Sequence, residues 1–180
     1  MSPLRRVLVR PLTASDRVWV RATLVRNWSS TTVARRGELI EARDLPGYVA
    51  LVEGRRVGLV LVQVRDADFE IVAISTNRRR QGVGQALVDA CLNEARKRGC
   101  RRLWLVTTNN NTTAMAFYQR LGMDLCAFRR NGVRALRVLK PSIPLRDGDG
   151  VPIVHELEFE LLLSADTSPH APRPLAPPES

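Results

Sequence analysis

Residues 69–99 read FEIVAISTNRRRQGVGQALVDACLNEARKRG, which is a strand, a basic loop and a helix in immediate succession. Residues 69–75 are mostly apolar and β-branched, a composition typical of a buried strand. From Val83 onward the apolar residues recur at helical spacing, and Gly99 ends the run. This order of elements predicts a site for an anionic ligand at the start of the helix.

The loop between this strand and helix has the chemistry of a phosphate-binding site. Gly82 and Gly84 have no Cβ, so a ligand can approach the backbone closely. The first amides of a helix lack intrahelical partners, and the helix dipole favours an anion there. Residues 78–80 are arginines that can donate to phosphate oxygens. Two nucleotide motifs are absent from the sequence: Leu87 replaces the third glycine of a Rossmann fingerprint, and no Gly-Lys-Ser/Thr of a Walker loop occurs.

The flanking sequence predicts one α/β domain over residues 1–163. We expect strands at residues 5–10, 48–53, 56–64, 102–108, 125–128 and 155–163, and helices at residues 14–28, from Asn111 to Gly122, and at residues 131–139. Residues 29–47 are polar and irregular. The last strand alternates glutamate with leucine and phenylalanine, which predicts a solvent-exposed acidic face. Residues 164–180 are rich in proline, so we expect a disordered tail.

The composition excludes several classes of protein. The chain has 180 residues, is 44% hydrophobic and contains three cysteines without a Cys-x-x-Cys pair and two histidines, so a zinc site or a disulfide scaffold is not expected. No apolar run is long enough to span a bilayer and no signal peptide is recognisable, which favours a cytoplasmic protein. The net charge of +10 leaves a nucleic-acid-binding module as an alternative, but the arginines are scattered and no basic stripe contains aromatic residues.

Two motifs of the sequence occur together in one family of enzymes. Residues 79–84, RRQGVG, match the pattern Arg/Gln-x-x-Gly-x-Gly/Ala. A second pattern, Asn-x-x-Ala-x-x-Phe-Tyr-x-x-x-Gly-Phe/Met, is matched by Asn111, Ala114, Phe117, Tyr118, Gly122 and Met123. The chain therefore resembles the GNAT family of N-acetyltransferases, in which the first pattern is the acyl-CoA signature. The order of predicted elements over residues 1–163 is also similar to that of the family. Residues 140–144, KPSIP, and the acidic final strand are similar to a bacterial subgroup of it.

The resemblance implies a fold and a co-substrate. The fold is α/β, with a mixed, mostly antiparallel central sheet of about six to seven strands, helices on both faces and a splayed pair of parallel strands. The splayed strands are those at residues 69–75 and 102–108, and the pantetheine arm of acetyl-CoA lies between them. No metal is implied.

The resemblance also assigns roles to individual residues. A backbone N–H near Ile74 faces the thioester carbonyl as an oxyanion donor. Tyr118 is the general acid that protonates the leaving thiolate. Glu70, which is expected to share an apolar strand face with Val72 and Ile74, is the candidate base. The cofactor-binding residues are Ile74, Arg79, Arg80, Gln81, Gly82, Val83, Gly84, Gln85, Asn111 and Tyr118.

The acceptor is expected to enter opposite the cofactor. In this fold the first helix, the loop after it and the late strands line that side, which nominates Trp28, Ser29 and Arg36. Glu156 and Glu158 either add an acidic lining for a cationic amine or form the exposed face of their strand. The predicted activity is direct acetyl transfer from acetyl-CoA to a primary amine of a small molecule or a protein. A different acyl donor, a hydroxyl acceptor and a homodimer are left open.

Overall fold

A computed structural model of the chain describes residues 6–77 and 82–163. Within these ranges a short 3₁₀ helix, Ala14–Asp16, precedes the first α-helix. The α-helices are α1 (Arg17–Trp28), α2 (Val83–Lys97), α3 (Thr112–Arg120) and α4 (Gly132–Leu139). The strands are β1 (Leu8–Pro11), β2 (Thr32–Arg35), β3 (Glu38–Glu41), β4 (Gly47–Val52), β5 (Arg55–Arg65), β6 (Asp68–Thr76), β7 (Arg102–Thr108), β8 (Asp124–Arg129) and β9 (Glu156–Leu162).

Seven of the strands form one mixed sheet in the order β1-β4-β5-β6-β7-β9-β8. Every neighbouring pair is antiparallel except β6 and β7, which are parallel. The connection between β6 and β7 is α2, as parallel neighbours require a crossover. The mostly antiparallel sheet with one parallel pair confirms the predicted fold.

Helices pack on both faces of the sheet, as expected. α2 buries Leu87 and Cys91 against Phe69, Leu103 and Phe159 on one face. On the other face, α1 buries its own apolar residues in a second cluster that includes residues of β2, β3, β5 and β6. The fully buried positions of α2 follow its 3.6-residue period, which is why this sequence is helical between two strands.

The irregular segment at residues 29–47 contains a hairpin that the sequence does not reveal. β2 and β3 pair with each other and not with the main sheet. The turn between them is made by Arg36 and Gly37, both with positive φ. Val33 and Ile40 are the apolar residues that anchor the hairpin in the core shared with α1.

This hairpin overturns the expected exposed face of the last strand. β9 lies between β7 and β8 rather than at an edge. Glu156 and Glu158 are only 2% and 4% exposed, because the β2–β3 turn covers that face of the sheet: Arg36 donates its N–H to Glu156 and lies near Glu158. The alternation of glutamate with leucine and phenylalanine in β9 therefore reflects two buried faces, one polar and one apolar.

The remaining differences concern the ends of the chain. β1 begins at Leu8, and residues 1–5 lie outside the described ranges. The tail predicted at residues 164–180 also lies outside them, so the domain boundary stays a prediction. None of the helices in residues 6–77 and 82–163 is both long and apolar enough to cross a membrane.

Candidate active site

The parallel strands β6 and β7 separate halfway along their length. Their pairing starts at Asp68 with Arg102 and ends at Ile71 with Leu105. At that point β6 carries a β-bulge, since β5 pairs Leu61 with Ala73 but Val62 with Ile71. Such an extra residue bends a strand and increases its twist. The bulge therefore accounts for the splaying of the two strands, and a cleft opens beyond it.

The bulge also reverses the alternation of side chains along β6. Ile71 packs in the core beneath α2, whereas Val72 and Ala73 both pack in the core beneath α1. Ile74 returns to the side of α2. Glu70 lies on the side of the β2–β3 hairpin, where Arg35 contacts it. The expectation that Glu70 and Ile74 share one face is therefore wrong, because it assumed a regular strand.

The backbone of Ile74 is directed into the cleft. Beyond the bulge, the N–H of Asn77 donates to the carbonyl oxygen of Val57 at 3.0 Å. In an antiparallel ladder, N–H groups on alternate residues face the same neighbour. The N–H groups of Ser75 and Ala73 therefore also face β5, and that of Ile74 faces the opposite side, where β7 has diverged.

A cavity of about 370 Å³ occupies the cleft and continues beneath α1 and α4. Its walls come from β6, β7, the end of α1, β2, α3, α4 and the segment after α4. The residues predicted for the site that line it are Glu70, Ile74, Asn111, Tyr118, Trp28 and Ser29. Residues far apart in the sequence are thus brought together at one cavity.

Arg36 lies elsewhere. Its guanidinium is 5.0 Å from the centre of the Trp104 ring, and the residue lines a second cavity of about 350 Å³. Its backbone N–H binds Glu156 at 2.9 Å. Arg36 therefore fixes the β2–β3 turn on the sheet, and this placement gives no support to its predicted role in acceptor binding.

Tyr118 is a buried residue at the wall of the cavity. Its ring packs between Phe117 and Phe159, with centroids 5.5 and 5.7 Å away, and the residue is 6% exposed. Burial raises the pKa of its phenol to about 12. No residue within the described ranges accepts a hydrogen bond from the hydroxyl. The phenol is thus protonated at neutral pH and lines the cavity without a protein partner.

Glu70 is buried but is not in apolar surroundings. Arg35 binds both of its carboxylate oxygens, through Nε and, at 2.7 Å, through Nη2. Gln63 donates to the same carboxylate. The sequence does not reveal this ion pair, because Arg35 lies within residues 29–47, a polar segment without a recognisable period. The role of Glu70 as a base stays a prediction.

The two glycines at the start of α2 have different surroundings: Gly84 is in contact with another helix, whereas in the described part of the chain Gly82 is not. Gly82 has a φ of +72°, and no non-neighbouring atom of the described residues lies within 4 Å of the place where a Cβ would be. At Gly84 a Cβ would lie 3.0 Å from the ring of Phe117, so its small size serves the contact between α2 and α3. Val83 is fully buried, and Gln85 donates to Asp89. Arg79, Arg80 and Gln81 lie outside the described residues.

Asn111 caps α3 as expected. Its side-chain oxygen accepts a hydrogen bond from the N–H of Ala114 at 3.3 Å. The cap sets the first turn of α3, which carries Tyr118 two turns later. Since Asn111 also lines the cavity, its remaining donors are available to a ligand.

Two further charged residues line the cavity: Lys140, which the sequence does not nominate, and Glu156, for which the sequence leaves open an acidic acceptor lining or an exposed strand face. Lys140 follows α4 and is 8% exposed, and its Nζ donates to the carbonyl oxygens of Trp28 and Thr32. Glu156 begins β9. The signal for Lys140 in the sequence is the segment at residues 140–144, which was noted only as a family feature.

Comparison with known proteins agrees with this geometry. The family model of the acetyltransferase (GNAT) family matches residues 16–123. The uncharacterized protein YdhI of Bacillus subtilis is 30% identical over 77% of this chain and 87% of its own length. The [ribosomal protein bS18]-alanine N-acetyltransferase of Escherichia coli is 34% identical over 58% of this chain and 69% of its own. A crystal structure of a Bacillus subtilis acetyltransferase in complex with CoA aligns with a TM-score of 0.62 and 16% identity, over 89% of this chain and 99% of that one.

The fold and the cleft define an acyl-CoA-dependent transferase. This chain belongs to the GNAT family of acetyltransferases, enzymes that take an acetyl group from acetyl-CoA. The predictions of the family, the fold, an N-acetyltransferase and acetyl-CoA as co-substrate are thereby confirmed. The relatives named above are bacterial. Among the described residues, no group of three or more His, Cys, Asp or Glu side chains is arranged to hold a metal ion.

Proposed function

We propose that this chain transfers the acetyl group of acetyl-CoA directly to a primary amine in the cleft between β6 and β7. The observation that carries the proposal is the bulge in β6, which separates the two strands and directs the N–H of Ile74 into the cleft that Tyr118 lines. An amine acceptor is supported by the relative that is an alanine N-acetyltransferase.

The donor is held at the start of α2. The free amides of that first turn, including those of Val83 and Gly84, bind the diphosphate of CoA, assisted by the helix dipole. The positive φ of Gly82 turns the chain into the helix there. The sequence adds Arg79, Arg80 and Gln81 before it, and Gln85 after it. The pantetheine arm then runs along the cleft toward Ile74, past Asn111.

The reaction proceeds by direct attack. The nitrogen of a neutral amine forms a bond to the thioester carbon, and the N–H of Ile74 stabilises the oxyanion that develops. The C–S bond then breaks, and the hydroxyl of Tyr118 gives its proton to the departing thiolate. Burial raises the pKa of this phenol to about 12, so the hydroxyl is protonated before this step but is a weaker acid than a phenol in water. The proton transfer therefore accompanies the breaking of the C–S bond. The buried Cys91, whose thiol pKa is raised to about 12, is not suited to carry the acetyl group.

Glu70 is the proposed acceptor of the amine proton, through a water molecule. Arg35 and Gln63 occupy positions on its two oxygens, and a carboxylate retains further lone pairs for a water at the cavity wall. The ion pair holds the carboxylate in one place, which is what a relay through water requires.

We also propose a cytoplasmic location, since the cysteines of the chain are all free thiols.

The proposal is tested first by binding and then by turnover. Calorimetry on the wild type should show one acetyl-CoA site, weakened by roughly tenfold or more when Arg79 and Arg80 are both changed to Glu. The matched control is Arg96→Glu, an exposed arginine at the other end of α2, which should bind normally. A library of primary amines is then screened for thiol release, with the acetylated product identified by mass spectrometry. Absence of acetyl-CoA binding, or of any acetylated amine, would contradict the proposal.

A further inference from the structure

Glu156 differs from the other deeply buried carboxylates of the described chain. Asp16 is paired with Arg10 and Arg56, Glu70 with Arg35, and Glu158 with Arg102 and Arg129. Glu156 is 2% exposed and lines the main cavity. Its Oε1 accepts the N–H of Arg36, and no cationic side chain in the described residues is within ion-pair distance of it.

Lys140 is the opposite case, a buried cation without an anion. Its Nζ lies 2.9 Å from the carbonyl oxygen of Trp28 and 2.7 Å from that of Thr32. No carboxylate of residues 6–77 and 82–163 is within ion-pair distance of it. An ammonium group has three donors, so one is left after these two bonds. Burial lowers its pKa, in keeping with this lack of a counter-charge.

These two charges line one cavity but belong to different walls. Lys140 follows α4, and Glu156 begins β9. Val133, Leu136 and Ile153 supply apolar lining in the same cavity. Within residues 6–77 and 82–163, the other charged groups that line this cavity are Arg35 and Glu70, which are bound to each other. The cavity therefore presents one unpaired positive and one unpaired negative group in a largely apolar surrounding.

An unpaired buried charge is unfavourable unless an opposite charge on a ligand pairs with it. A carboxylate and an ammonium group on separate walls are complementary to a molecule that carries both opposite charges. The ammonium group of Lys140 would also repel a second cation on the acceptor. A diamine or polyamine is therefore a poor match, and a simple alkylamine leaves Lys140 unpaired.

We propose that the acceptor is a primary amine that also carries a carboxylate, of the amino-acid class, with its ammonium group bound by Glu156 and its carboxylate by Lys140. This inference rests on the proposed N-acetyltransferase function and names the substrate class of the same site. Acetylation then removes the positive charge that Glu156 binds, which weakens product binding relative to substrate binding.

The test compares amines of equal length that differ only at the far end. For chains of three to six atoms, kcat/KM is measured for the amino acid, the alkylamine and the diamine, together with α-amino acids. The wild type should prefer the best amino acid over its alkylamine by tenfold or more and should use the diamine least. Lys140→Met should abolish this preference, and Lys140→Glu should shift it toward the diamine. Lys97→Glu, at an exposed lysine on α2, is the matched control and should keep the wild-type ranking.

Glu156→Gln provides the second arm. It should raise KM for every amine by tenfold or more while acetyl-CoA affinity, measured by calorimetry, stays unchanged. Glu160→Gln, on the same face of β9 but outside the cavity lining, is its control. Equal use of the three amine types by the wild type, or an unchanged ranking in folded Lys140→Met, overturns the inference and leaves the N-acetyltransferase function standing. Failure to acetylate any amine overturns both.

Discussion

Tyr118 is the residue whose role can be separated most cleanly from its packing. Tyr118→Phe keeps the ring between Phe117 and Phe159 and removes only the hydroxyl, which has no protein partner in the described chain. We expect kcat to fall by roughly 10²- to 10⁴-fold, the usual contribution of a positioned acid, because the proton is given only as the thiolate leaves. Melting temperature and acetyl-CoA affinity should be nearly unchanged. Wild-type turnover in the folded variant would remove Tyr118 from the mechanism.

Glu70 could act as a base or could serve only to hold Arg35, and the two roles predict different dependences of the rate on pH. If it accepts the proton of the amine through water, Glu70→Gln should lower kcat/KM by roughly 10²-fold at neutral pH. The deficit should shrink as the pH rises toward the pKa of the acceptor amine, since more of the amine is then already neutral. The measurement is a pH–rate profile of both proteins. A deficit that is the same at every pH would show that Glu70 acts only by holding Arg35.

Glu70, the glutamate that the sequence nominates, lines the cavity, but its neighbours are polar and not the apolar ones that the sequence predicts. The glycine loop and the motif that contains Asn111 and Tyr118 depend on local spacing, which a sequence displays directly. The contacts of Glu70, by contrast, depend on Arg35, at a separation of 35 residues. A long-range ion pair between a short hairpin and a central strand leaves no periodic signal.

Among the secondary-structure elements, the bulge in β6 is likewise a feature that the sequence does not reveal. Residues 71–74, around the bulge, are all apolar, so the sequence predicts a strand and cannot show where one extra residue is inserted. That insertion decides which side chains face α1 and which face α2. The helices and the long strands were predicted closely because their periods extend over several turns or residue pairs. The four-residue strands β2 and β3 are too short to show a period.

The start of α1 offers a prediction on stability. Asp16 is fully buried, accepts hydrogen bonds from Arg10, Arg56 and the N–H of Thr13, and fixes the helix that carries Trp28. The hydrogen bond from Arg10 is the main cause that holds the pKa of Asp16 well below its ordinary value of 3.8. A carboxylate with a depressed pKa contributes stability above its unfolded pKa and loses it as the pH falls toward the folded one.

Asp16→Asn should therefore lower the free energy of unfolding by about 3 kcal/mol at pH 7, because two arginines lose a buried partner. The difference from the wild type should narrow as the pH falls below about 4, where the unfolded wild-type chain also binds the proton. Urea unfolding at several pH values measures this. Asp44→Asn, at an exposed aspartate, is the control and should change little. A difference that is independent of pH would contradict the ion-pair explanation.

For the whole molecule, the arginine-rich composition acquires a structural meaning. Four arginines lie at the covered face of the sheet, and three of them, Arg35, Arg36 and Arg102, surround Trp104. Arg102 and Arg129 neutralise the glutamates of β9 there. A net charge of +10 thus coexists with a buried network in which arginine and glutamate are paired. Composition alone left a nucleic-acid-binding module open, whereas the placement of these side chains gives them a role within the fold.

In the proposed complex, acetyl-CoA lies in the cleft between β6 and β7, with its thioester at Ile74. The most direct measurement is a crystal structure of the wild-type protein with acetyl-CoA bound. We predict the thioester oxygen about 3 Å from the backbone nitrogen of Ile74, within hydrogen-bond distance. The sulfur should lie beside the hydroxyl of Tyr118, and the diphosphate at the first turn of α2. A pantetheine arm that runs outside the gap between the two strands, or a thioester away from Ile74, would contradict the proposed mechanism.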